Sequence, residues 1–292
     1  MISEFEELQE ESCYKLLNIY KKRLEQLKKS ILKLVKAGSD TSTLRIEKRK
    51  LEKIIKELEY ELYEYAEQES EQIYYEGQKE QNKYFKALNI AIIGLIANET
   101  VIKNLEDIHL TNLSNIPKNI TNKVKAYVRT DFSNKQETIK ALNNIADTNL
   151  LASTVTNKNS YELAKLLEEE FKQKDIFTIP YYDKNGNIVR RVKASTYANM
   201  LSRTMTANIF REGAKESIIK NVPQGDLVEI LGKSKYPDSP CLPYQGSILS
   251  LSGKTEGYVT IDETKGNGLF HPNCIHSFAV TQNVLNEYKQ RA

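Results

Sequence analysis

The sequence predicts an α+β protein, with a long helical N-terminal part that contains a helical hairpin and a smaller mixed C-terminal module of hairpin, helix and short strands. Three observations lead there. From Leu17 to Tyr65 apolar residues recur at alternating steps of three and four, the spacing of helices packed along one another. After Asp175, β-branched and aromatic residues flank an Asn-Gly step, the signature of a β-hairpin. Beyond residue 221 short apolar runs are separated by Pro and Gly, as short strands joined by loops require. The expected division is a helical hairpin arm over 1–80, a helical domain over 81–175 and an α+β domain over 176–292.

The first seam is Leu17, Tyr20, Leu24, Leu27, Ile31 and Leu34. Ala37 to Asp40 break it, and Asp40, Thr41, Ser42 and Thr43 offer side-chain oxygens to cap the next helix. The second seam is Leu51, Ile55, Leu58, Leu62 and Tyr65. These two amphipathic helices serve either as an interaction arm or as packing elements of their own domain. Tyr60, Tyr63, Tyr65, Tyr74 and Tyr75 are assigned to packing rather than to base stacking. The apolar run from Ala87 to Ala97 is too short to span a bilayer and is interrupted by Asn89, so a buried core helix is expected. Helix continues to about residue 175, with breaks at NLSNIPK (112–118) and TVTNKNS (154–160). IFTIPYYD and NIVRRVK form the hairpin, turning at Lys184, Asn185 and Gly186, and a helix follows over about 195–221. LVEIL, SILSL, YVTI and HSFAVT are the remaining strand candidates.

A chain of 292 residues, 40% of them hydrophobic, can bury a core. Lys and Arg number 42 against 39 Asp and Glu, a net charge of +3, so no large field of one sign advertises a nucleic-acid partner. Cys13, Cys241 and Cys274 are odd in number and widely spaced, which argues against a disulfide framework and for synthesis in a reducing cytoplasm. The acidic, polar start MISEFEELQEES lacks the features of a signal peptide.

Chemistry-bearing residues concentrate near the C-terminus. HPNCIH supplies His271, Cys274 and His276, and Cys241 stands thirty residues upstream. On an extended segment Cys274 and His276 share a face, and His271 can fold back across the Pro272 turn. These thiols and imidazoles make a candidate four-ligand zinc set, although neither half has paired CxxC or HxxxH spacing. The competing reading has both histidines bonded to loop backbone and both cysteines filling a small core. Cys274 with His276 as its base is a candidate nucleophile, and a nuclease would combine the histidines with Arg190, Arg191 or Arg203. No nucleophile elbow, phosphate-binding loop, HExxH helix or EF-hand loop occurs. Asp262 and Glu263, beside Lys265, read as solvated turn residues. No catalytic residue is assigned, and the expected protein is not an enzyme.

Taken in order, YYDKNGNIVRRV, YANMLSRTMTANIFREGAKESI, YPDSPCLPYQGSILSLSG and GNGLFHPNCIHSF resemble the phage minor capsid family, also described as Mu F-like head morphogenesis proteins. Arg203 and Thr204 match the family's helix pair; Asp238, Cys241, Gln245 and Gly246 match its central block; His271, Pro272, Cys274 and His276 match its terminal motif. Many relatives carry cysteine in place of Asp238 and arginine in place of Ile275, which removes one candidate ligand and one positive charge here. The resemblance covers about 177–281. It implies a low-copy component of the virion, in the head interior near the portal, made in the host cytoplasm and without a membrane partner. Its expected partners are the portal protein, the major capsid or scaffold protein, and the packaged double-stranded DNA, and its expected roles are head assembly and DNA packaging or ejection. A rival reading is a nucleic-acid-binding protein, suggested by LRIEKRKLEKIIK and by Arg190, Arg191 and Lys193 on the hairpin. The other rival is the Cys/His-dependent hydrolase or nuclease.

Overall fold

A computed structural model of the chain describes residues 2–38, 40–130, 134–146, 158–173, 178–182, 185, 187–222, 225–234 and 236–291. The fold is α+β. Its helices in chain order are α1 (Ile2–Ala37), α2 (Thr41–Ala87), α3 (Glu99–Leu113), α4 (Asn115–Val128), α5 (Lys135–Ala146) and α6 (Ser160–Gln173). Strands β1 (Thr178–Tyr182) and β2 (Ile188–Lys193) lead into α7 (Ala194–Asn221). The C-terminal module comprises β3 (Leu227–Leu231), a 3-10 turn (Leu242–Tyr244), β4 (Ile248–Ser250), α8 (Ile261–Gly266), β5 (Ser277–Ala279) and α9 (Gln282–Arg291). Two compact units result, one of Met1–Tyr14, Tyr65–His109 and Met200–Ala292, the other of Lys15–Glu64 and Leu110–Asn199.

In the second of these units the two long helices pair as the seams predict. Tyr20, Leu27, Ile31 and Leu34 are buried, as are Leu51, Ile55, Leu58 and Leu62. Leu17 and Leu24 are only half-buried, because Leu16 and Arg23 take the inward positions. Arg23 is satisfied across the pair: its Nε and Nη2 donate to the two oxygens of Glu61, each at 2.7 Å, and Nη1 reaches Glu57. A guanidinium carries both charge and planar donors, so a bidentate carboxylate lets it occupy a seam position that the apolar pattern assigns to leucine. Asp40 starts α2, its Oδ1 accepting from Ser42 N at 3.1 Å and Ser42 Oγ at 2.9 Å. Tyr60 and Tyr63 correct the packing assignment, being 61% and 41% exposed, while Tyr65 and Tyr74 are buried. The β1–β2 ladder is antiparallel, with Tyr181 opposite Arg190 and Pro180 opposite Arg191; of its predicted turn, Lys184 and Gly186 lie outside the described residues.

In the other unit α2 and α7 approach backbone to backbone. A Cβ built on Gly77 would lie 2.0 Å from Phe210 O, and one on Gly213 would lie 2.0 Å from Tyr74 O. Only glycine at both positions permits that crossing. The segment from Leu88 to Asn98 overturns the expected core helix. Asn89 adopts a left-handed conformation (φ 55°) that ends α2, and the chain then runs without helix to Glu99. Its burial alternates: Ile90, Ile92 and Ile96 are half-buried, while Ile93 and Leu95 are 72% and 50% exposed. That period of two belongs to extended backbone. Gln78 substitutes for a neighbouring strand, donating to Ile96 O and accepting from Ile96 N, both at 2.7 Å.

The C-terminal module is built on a three-stranded antiparallel sheet, β4-β3-β5, with Leu227, Val228, Ile230, Leu249 and Phe278 in its core. Asp226 ties the strand ends together by accepting from Ser250 Oγ, from Ser252 N and Oγ, and from Thr255 N. Burial would raise its carboxyl, but the donors from Ser250, Ser252 and Thr255 outweigh it and bring the pKa down to about 2. YVTI is not a strand. Only Thr260 bridges to Ser250, and Thr260 with Glu263 forms a capping box that starts α8.

Candidate metal centre

Two loops of the C-terminal module bring the predicted cysteines and histidines together. In the first, Cys241 precedes the 3-10 turn, and the chain then reverses at Gln245 and Gly246. Gln245 has φ −61° and ψ 122° and Gly246 has φ 74°, with Ser247 N donating to Tyr244 O at 3.0 Å. This is a type II turn, whose third position needs positive φ, hence glycine. Gly246 N then donates to Ile230 O at 2.9 Å, fastening the loop to β3. In the second loop, Pro272 and Asn273 occupy the middle of another tight turn. Asn273 has φ 63°, and Cys274 N donates to His271 O at 2.9 Å, which places His271 beside Cys274. The residue order His-Pro-Asn-Cys carries this signal, since proline and asparagine suit those two central positions.

The ligand atoms of Cys241, His271 and Cys274 all lie within 4.8 Å of one another. Cys241 and Cys274 are each 2% exposed, and His271 is half-buried. His271 Nε2 is 3.3 Å from Cys241 Sγ and 3.1 Å from Ser239 Oγ, and Ser239 Oγ is 3.0 Å from Cys241 Sγ. On the other side of the ring, Nδ1 lies 2.7 Å from Pro272 O. His276 is fully buried, with Nδ1 3.5 Å from Cys274 Sγ and Nε2 without a hydrogen-bond partner among the described residues. Burial pushes the Cys274 thiol up; burial, followed by the charges of His271 and Arg211, holds the His276 imidazole below its ordinary range.

Sequence reasoning passed over Arg211 and Ser239. Arg211 is buried, donates to His276 O at 2.9 Å and to Asn208 Oδ1 at 2.6 Å, and stacks 4.0 Å from the Phe270 ring centroid. Burial lowers its pKa to about 10. Phe270 has φ 59°, a conformation that non-glycine residues adopt only where their surroundings hold them. Arg211, Phe270, His271 and Pro272 line a cleft of about 580 Å³, together with Asp262 and Lys265. The available signal for Arg211 was its place on α7 about two turns after the Arg203-Thr204 pair.

Thr204 connects α7 to the second loop, accepting from Asn273 N at 3.2 Å and donating to Met200 O at 2.7 Å. Arg203 pairs with Glu10, and its carbonyl accepts from Gln9 Nε2 at 3.0 Å. Asp238 is exposed in the turn before Cys241, and Gln245 Oε1 accepts from Ser234 N at 3.4 Å. Arg190, Arg191 and Lys193 are exposed on β2, with Arg190 4.7 Å from the Tyr181 ring centroid. Asp262 pairs with Lys265 on α8 rather than lying in a solvated loop, and Glu263 is engaged in its cap.

Among the described residues no helix is long and apolar enough to cross a membrane. No curated protein and no solved structure matches the chain. A family model described as phage minor capsid protein 2 matches residues 15–291, so the match takes in the long helices as well as the two loops that gather Cys241, His271 and Cys274. The chain belongs to the phage minor capsid protein family, and its place is among the structural components of the phage head.

Proposed function

We propose that this protein is a portal-associated minor component of a tailed-phage head that assists head assembly and DNA packaging or ejection. The observation that carries the proposal is the family match across residues 15–291, because it includes the helical arm as well as the C-terminal module. Two paired helices of 36 and 47 residues offer long faces for docking, and α2 presents Ile46, Tyr60 and Tyr63 to solvent. Partly exposed aromatic residues on a rigid helix are the side chains that protein interfaces favour.

The proposed role is structural and non-enzymatic. A cysteine nucleophile needs an accessible sulfur and an electropositive site that favours thiolate. Cys274 is 2% exposed and burial raises its pKa, the reverse of activation. Co-expression with the portal protein of the same genome tests the docking step. The expected result is a complex that survives size-exclusion chromatography at micromolar concentration; separate elution of the two proteins would contradict portal association.

A further inference from the structure

We propose that Cys241, His271 and Cys274 bind one zinc ion that cross-links the two loops of the C-terminal module. Tetrahedral zinc has Zn–S bonds of about 2.3 Å and Zn–N bonds of about 2.0 Å, which set the S···N edge of the tetrahedron near roughly 3.5 Å. Cys241 Sγ and His271 Nε2 are 3.3 Å apart, and all three ligand atoms fall within 4.8 Å of each other. Small side-chain adjustments suffice to place an ion between them.

The tautomer of His271 fits this role. Nδ1, 2.7 Å from Pro272 O, must carry the proton to donate to a carbonyl, which leaves the Nε2 lone pair directed at the two sulfurs. Ligating histidines are commonly oriented by such a bond to backbone. Ser239 Oγ, 3.0 Å from Cys241 Sγ, is placed to donate to a thiolate. Two thiolates and a neutral imidazole balance the charge of a divalent ion, and thiolate with imidazole is a donor set that selects zinc over harder cations.

His276 stands outside the ligand set. Its Nδ1 is 3.5 Å from Cys274 Sγ, but it does not share the mutual spacing of the other three, so its role is to support Cys274. The fourth position falls to water on the side of His271, the half-buried member of the set, which also lines the cleft. The ion would join segments that regular secondary structure does not: Cys241 lies between β3 and β4, and the His271–Cys274 turn lies between α8 and β5.

The test is metal analysis of untagged full-length protein from zinc-replete cells, purified without added metal or chelator. About one zinc per chain is expected in the wild type, in Cys13→Ser and in His276→Ala, and below about a tenth in Cys241→Ser and Cys274→Ser. Should the cysteine variants fail to fold, cobalt(II) reconstitution of the wild type provides the second measurement, with tetrahedral d–d bands and charge-transfer intensity for two thiolates expected. Three outcomes would each overturn the proposal: wild type below about a tenth of an equivalent with no cobalt–thiolate absorption, a Cys241–Cys274 disulfide in the purified protein, or loss of the ion from His276→Ala as complete as from the cysteine variants.

Discussion

His109 has the most sharply shifted titration among the described histidines. It is fully buried, its Nδ1 meets Ser70 Oγ at 3.3 Å, the Tyr65 ring lies edge-on at 5.4 Å, and Nε2 has no partner among the described residues. Burial lowers its pKa from 6.5 to about 4, so the folded protein keeps it neutral where the unfolded chain protonates it. The unfolded state then binds more protons between those values, and stability falls as pH drops from 6.5 towards 4 and levels off below. The limiting loss is about 3 kcal/mol. Urea unfolding of wild type and His109→Gln at pH 7 and pH 4.5 isolates this contribution from that of the carboxylates. The variant is expected to lose less stability on acidification by roughly 2 kcal/mol; equal losses would show that His109 is not neutral and buried. Nothing in the sequence around His109 marks it, since a lone histidine on an amphipathic helix reads the same whether it faces core or solvent.

At the level of elements, the crossing of α2 and α7 at Gly77 and Gly213 gives a prediction whose sign opposes intrinsic propensity. In an open helix, replacing glycine with alanine stabilises by about 1 kcal/mol. Here each new methyl group would fall 2.0 Å from a carbonyl oxygen of the other helix, so the backbones must separate. Gly77→Ala and Gly213→Ala are each expected to destabilise by about 3 kcal/mol, read as a lower denaturation midpoint; a gain in stability from either would contradict the crossing. Much of this architecture was legible beforehand, because Leu51, Ile55, Leu58 and Leu62 have period and burial in agreement, and β1, β2 and α7 fall where their residue types put them. The run from Ala87 to Ala97 misled because nearly every position is apolar, which silences both the helical and the strand period. Asn89 was the useful signal, as a residue that tolerates the left-handed conformation that ends α2. YVTI misled differently: its β-branched residues suggested a strand, while Thr260 and Glu263 carried the spacing of a capping box. The candidate metal centre was legible in its residue types and in the His-Pro-Asn-Cys turn. Cys241 was expected to join it on residue type alone; how it does so was not legible, because the type II turn at Gln245–Gly246 and the anchorage of Thr204 to Asn273 act through tertiary structure.

For the whole molecule, family membership accounts for the combination of long paired helices with a small, loop-rich module. A head component needs faces that persist against its neighbours. The apolar seams, the Arg23–Glu61 pair and the Asp226 hub all fix backbone without forming an exposed reactive site. A structural component of the head is a built-in part of the particle, and that status can be measured. It is tested most directly by quantitative mass spectrometry of purified phage particles, with this chain measured against the portal and major capsid proteins of the same genome. The chain is expected in mature, DNA-filled heads at a fixed ratio to the portal and far below the major capsid protein. Its absence from mature heads, with presence confined to assembly intermediates, would contradict a structural role in the finished particle.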